Sequence, residues 1–111
     1  MSEIEVFVDR TITISGFSSV DWFIEKHNLK RKDRSLEIKT LRQYLMYLCR
    51  KNLKPYKNGY TKIGLRFGKS HATAIHSERY IKELLEIKDK YLRDLIKKHE
   101  EDINLINWKI S

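Results

Sequence analysis

The sequence predicts a mainly α-helical fold: a helical bundle containing a helix-turn-helix, preceded by a short strand-like N-terminal arm. Three observations carry this. Beyond the arm, apolar residues recur at three- and four-residue spacing, the period of one helical face. The stretch IGLRFGKSHATAIHSERYI, residues 63–81, reads as a short helix stopped by Gly68, a tight turn, and a second helix capped by Ser70. Residues 4–14 instead alternate, with Ile4, Val6 and Val8 on one side and a β-favouring run after them.

At 111 residues the chain can enclose a single modest core. The expected division is an arm at 1–16, a helix-turn-helix domain at 17–102 and a tail at 103–111. No apolar run approaches a membrane span, and MSEIEVF lacks the basic-then-apolar order of a signal peptide. The expectation is therefore a cytoplasmic protein without membrane contact.

The net charge of +8 is unevenly spread. Residues 1–25 carry one arginine against five acids, residues 26–69 carry fourteen Lys and Arg against Asp33 and Glu37, and residues 70–111 carry eight of each sign. The middle segment thus holds +12 just before the capped second helix, where a polyanion would meet it.

In chain order, the arm comes first. Two strands alone are barely stable in water. The arm therefore leans on the bundle, pairs with a second copy to give a homodimer, or is the remnant of a linker. The first helix opens at Phe17 and Ser18, with Ser18 as N-cap, Asp21 answering the backbone and Phe17 clasping Trp22 as a hydrophobic staple. Val20, Phe23 and Ile24 extend its apolar face, and Trp22 is read as core rather than as a platform for bases. KRKDR at 30–34 is a basic connection. Residues 35–52 form a long helix whose core stripe is Ile38, Leu41, Leu45 and Leu48, with Arg42, Gln43 and Arg50 off the stripe. Cys49, the one cysteine, falls inside this run as a small buried hydrophobe, so no internal disulfide is possible. KPYKNGY at 54–60 is a loop by its proline and Asn-Gly step, rich enough in lysine and tyrosine to touch a nucleic-acid backbone.

In the helix-turn-helix, Ile63 and Phe67 share one face of the first helix. The second helix places Ala74, Ile81 and Leu85 on one side and Ala72, His76, Arg79 and Glu83 on the other, at about 100° per residue. One side packs; the other faces the DNA major groove in such a motif. From 82 to 110 there is no glycine or proline, and Leu84, Leu85, Tyr91, Leu92, Leu95 and Ile96 continue the helical spacing. Trp108 so near the end indicates a tail docked on its own domain or on a partner.

The residues FGKSHATAIHS, read with RQYLMYL at 42–48, resemble the C-terminal DNA-binding domain (domain IV) of the bacterial chromosomal replication initiator DnaA, over roughly residues 20–95. That family's hallmark is a Phe-Gly turn followed by Asp-His-Thr-Thr-Val and a further histidine. Ser70, His71, Ala72, Thr73, Ala74 and His76 occupy the matching places. The resemblance implies double-stranded DNA as the partner, with Ser70, His71, Ala72, Thr73 and His76 facing base edges. It further implies that Arg42, Gln43 and Arg50 face the phosphate backbone, that Lys62 and Lys69 hold phosphates, and that Arg34 enters the minor groove. A solvated turn that merely attracts phosphate is the alternative for Arg34. The family's precedent also ends the first helix at a pair like Asn28-Leu29 and places a helix break at 87–89.

The departures are specific. The chain is several residues shorter between Asn28 and Gln43, and its 54–60 loop is a few residues longer. Ser70 replaces an aspartate that can accept from a cytosine amino group, and Ala72 replaces a threonine while keeping a methyl group for thymine. Residues 1–16 and 100–110 have no counterpart. The initiator's ATPase is also missing, so the chain would occupy a site without opening it, as a fragment or as a stand-alone phage or mobile-element regulator of replication or transcription.

Other chemistry lacks support. Gly68-Lys69-Ser70 invites a phosphate-loop reading, but only three residues separate Gly64 from Gly68 where that motif needs four. No nucleotide binding is expected. His71 and His76 lie about 140° apart on a helix and cannot share a metal from one face. No catalytic grouping and no cofactor is indicated, so an enzyme is not expected. The competing function is a small basic helical interaction protein that binds an acidic protein partner.

Overall fold

The computed structural model describes residues 19–30 and 35–109. Six helices lie among them: α1 (Ser19–Lys26), α2 (Leu36–Asn52), α3 (Tyr60–Arg66), α4 (His71–Glu86), α5 (Lys90–Lys98) and α6 (Glu100–Asn104). The expectations for the arm, for Phe17 and Ser18 at the head of the first helix, and for Arg34 fall outside the described residues.

α1 is short, and it is held by the burial of Val20, Phe23 and Ile24, spaced by three and one so that they share a face. It stops at Asn28, whose φ is 56°, one of the few non-glycine residues that tolerate the left-handed region. The Leu29 N–H donates to the Ile24 carbonyl at 3.0 Å and the Asn28 N–H to that of Glu25 at 3.3 Å, which satisfies two end carbonyls and turns Leu29 into the core.

α2 is the central beam, packed against α3, α4 and α5. Its N-cap is Ser35, whose hydroxyl accepts from the Ile38 N–H at 3.5 Å. Leu41, Leu45, Met46 and Cys49 are buried along it, while Ile38 and Leu48 sit half-buried at the margins of the stripe. Burial pushes the Cys49 thiol up to about 12, so it packs as a hydrophobe and carries no thiolate near neutral pH. Phe23 of α1, Leu45 of α2 and Ile63 and Phe67 around α3 join the same cluster. Each such side chain contributes about 1.5 to 3 kcal/mol of transfer free energy. Trp22 packs on its edge.

The tail docks on its own domain. Ile106 is buried, Ile103 and Trp108 pack against the core, and the Asn107 N–H donates to the buried Ser19 hydroxyl at 2.7 Å, across 88 residues of chain. Residues 103–109 are thus part of the bundle. A charged clasp lies beside them. Asp102 accepts from Lys26 and His27, each at 2.9 Å, and Glu37 accepts from Lys98 at 2.8 Å and His99 at 3.1 Å. The His27 and His99 rings meet edge-on with centroids 5.0 Å apart. Burial pushes the His27 pKa down against the opposing pull of Asp102. Asp102 is held below the ordinary carboxylate range, where burial works against its hydrogen bonds from Lys26 and His27 but does not win. Lys98, then His99, hold Glu37 low as well.

Candidate nucleic-acid interface

The site is built on the crossing of α3 and α4. α3 buries Ile63 and Phe67, and between them stands Gly64. A Cβ placed on Gly64 would lie 2.7 Å from the carbonyl oxygens of both Lys69 and Ser70. Only glycine lets the start of α4 come this close. α3 ends at Gly68, φ 68°, where the Lys69 N–H donates to the Gly64 carbonyl at 2.7 Å and the Gly68 N–H to that of Leu65 at 3.1 Å. These two amides are spent on α3's own last carbonyls, so residues 64–70 form a helix stop rather than a phosphate cradle. Ser70 then caps α4: its hydroxyl accepts from the Thr73 N–H at 3.3 Å and lies 3.2 Å from the Thr73 hydroxyl.

On α4, Ala74, Ser77 and Ile81 face inward and are buried. Ser70, His71, Ala72 and His76 are exposed, Thr73 is half-buried, and Arg79, Tyr80 and Glu83 continue the exposed surface. The five residues assigned to base edges therefore cluster at the head of α4, Ser70 as its N-cap and His71, Ala72, Thr73 and His76 on its first two turns. Leu85, expected on the packing side, is 39% exposed. The inward face runs through Ser77, a polar residue in the middle of the stripe, and apolar letters alone drew that face too far toward Leu85.

The residues assigned to the backbone are less uniform. Gln43 is half-buried on α2, Lys69 is half-buried in the turn, and Lys62 is exposed on α3 with its ammonium donating to the Tyr56 carbonyl. An ammonium has three N–H donors, so that bond leaves capacity for a phosphate. Arg50 donates through Nη1 to the Asn58 carbonyl at 3.0 Å, and its guanidinium lies 4.3 Å from the Tyr60 ring centroid. Arg42 departs from expectation. It is buried, its Nη1 donates to the Leu29 carbonyl at 3.3 Å, and burial lowers its pKa. It braces the end of α1 against α2 instead of presenting a charge outside.

Glu78 is a joint that single-sequence reasoning missed. It accepts from the Tyr60 hydroxyl, and Lys82 and Arg50 approach it at 3.5 and 4.0 Å. This ties the head of α3 and the end of α2 to the middle of α4. Nothing in the local pattern marks it, because the partners are 18 and 28 residues away.

The family model described as the bacterial DnaA protein helix-turn-helix matches residues 21–81, from within α1 to the third turn of α4. The match is shorter than the resemblance over 20–95, and α5, α6 and the tail lie beyond it. No curated protein and no solved structure matches the chain significantly. No described helix is long and apolar enough to cross a membrane.

Proposed function

The chain belongs to the bacterial DnaA helix-turn-helix family, a DNA-binding family, and on that premise we propose that it reads double-stranded DNA sequence-specifically by seating α4 in the major groove. Ser70, His71, Ala72, Thr73 and His76 supply the base-edge contacts. Gln43, Arg50, Lys62 and Lys69 hold phosphates, and Arg34 reaches the adjacent minor groove. Phosphate contacts supply affinity and register, while base contacts supply choice. The observation that carries the reading is a capped helix with an exposed polar face, fixed at Gly64 beside the segment that holds +12.

The protein acts as a binding module and not as an enzyme, occupying an initiator-type site in replication initiation or its regulation, or serving a phage or mobile element as a regulator. Titrating duplex binding against salt tests the reading. The four cations named here, neutralising about four phosphates, give a log-log slope of about −4 or steeper. A slope near zero, or no gel shift at low salt, overturns it. Arg34→Ala is expected to weaken binding most on duplexes with a narrow A·T-rich minor groove. An equal loss on all duplexes would assign Arg34 to phosphate.

A further inference from the structure

We propose that the cleft between the end of α2 and the middle of α4, extended by the loop at 53–59, is a second contact for the duplex backbone, beside the footprint of α4's first two turns. The inference rests on the major-groove reading above and extends its backbone contacts, of which Arg50 is already one, to Lys51, Lys57 and Lys82.

Three observations support it. First, the cleft is lined by Tyr47, Arg50, Lys51, Asn58, Glu78 and Lys82. Three are cations and two more carry hydrogen-bond donors. The single carboxylate, Glu78, is already engaged by Tyr60, Lys82 and Arg50, and its side chain is only 15% exposed against 63% for Lys82. The field at the mouth is therefore positive, and the donors suit phosphate oxygens.

Second, the loop is tied down by its own hydrogen bonds. Arg50 and Asn58 exchange two hydrogen bonds, Nη1 to the Asn58 carbonyl at 3.0 Å and Nδ2 to the Arg50 carbonyl at 3.2 Å. The Lys57 N–H donates to the Lys54 carbonyl at 2.8 Å, and Lys62 holds the Tyr56 carbonyl. Little backbone freedom is left to lose on docking. The loop presents Lys54 and Tyr56 to solvent, with the Lys57 ammonium 5.7 Å from the Tyr56 ring centroid. Behind it, Lys51 lies 5.9 Å from the Tyr47 ring centroid.

Third, the placement is right for a flanking phosphate. Glu78 and Lys82 lie within about 20° of His71 on the α4 wheel, and about 10 to 16 Å further along the axis. The cleft thus borders one edge of the recognition face at the end where a helix seated by its N-terminus leaves the groove and meets a strand's backbone. Every lining side chain carries a polar or charged group, and cations outnumber the one carboxylate three to one, which favours a phosphate strand as the occupant.

The test compares wild type, a Lys51→Ala/Lys57→Ala/Lys82→Ala triple variant and the corresponding triple Lys→Arg variant. Each is titrated with salt on its preferred duplex and on an unrelated one, and mapped by hydroxyl-radical protection. The alanine triple is expected to flatten the salt slope by about 2 to 3, because each lost phosphate contact removes about 0.9. It should lose affinity by the same factor on both duplexes, keep the selected motif, and lose protection on one flank only. The arginine triple should keep the wild-type slope. A wild-type slope and footprint in the alanine triple overturn the cleft and leave the major-groove reading standing. Weakened binding to polyglutamate with unchanged duplex binding reassigns the cleft to acidic protein and overturns the inference. Absence of any duplex binding by wild type at low salt overturns both.

Discussion

Two junctions in this molecule share a backbone and differ in everything built on it. At Phe67-Gly68-Lys69 and at Ile87-Lys88-Asp89, a helix stops on a left-handed residue, φ 68° in one case and 56° in the other. In each, the following N–H reaches back to the carbonyl five residues earlier, at 2.7 Å for Lys69 and 2.9 Å for Asp89. A capping side chain then starts the next helix, Ser70 accepting from Thr73 and Asp89 from Leu92. Yet α3 and α4 pack closely across the first junction, whereas beyond the second α5 packs on α2 and α6. That second corner leaves a groove lined by Leu84, Leu85, Leu92 and Ile96, with Ile87 and Tyr91 exposed beside it. The turn therefore joins two helices but does not make the DNA-binding motif. The close crossing does, and Gly64 permits it.

The comparison can be broken most strongly at that crossing. Gly64→Ala gains helix propensity but drives a methyl against two carbonyl oxygens, and a net loss of about 2 to 3 kcal/mol is expected in urea unfolding. Base selectivity should go with it, since the start of α4 has to shift. Gly68→Ala tests the stop alone and should cost about 1 to 2 kcal/mol, the usual penalty for a side chain in the left-handed region. Lys88→Gly makes the second junction resemble the first. It should raise stability by about 0.5 to 1 kcal/mol and leave duplex binding unchanged.

Acid addresses a third junction, the clasp between the tail and α1. The fold keeps His27 neutral where the unfolded chain's ring would take up a proton, so this stability is intact above about pH 6.5 and falls as pH drops below it. Glu37 and Asp102 are held low, so their contribution follows at lower pH, as it falls through their depressed values. Thermal unfolding between pH 7 and 5 should show a modest decline, and His27→Gln should flatten it.

What was legible in the sequence is what local chemistry dictates. A left-handed stop needs glycine and a helix start needs an oxygen, so Gly68 and Ser70 announced their places. The Lys88 stop carries no such mark, and only the family's precedent points to it. Arg42 lies off the apolar stripe, and nothing in that position announces a carbonyl at Leu29, 13 residues away, waiting for a donor. Ser77 hid the centre of α4's inward face. The tail's anchorage to Ser19 and the meeting of Arg50, Tyr60 and Glu78 are tertiary facts, made by partners that no window of sequence contains.

The central claim is that α4's outward face chooses bases while its surroundings hold the backbone. Binding-site selection from a random duplex library, run in parallel on wild type and a His71→Ala/His76→Ala variant, tests it most directly. The account predicts that wild type enriches one motif, and that the variant still binds duplex with nearly the same salt slope but enriches none. No motif from wild type, or the same motif from both proteins, would contradict it.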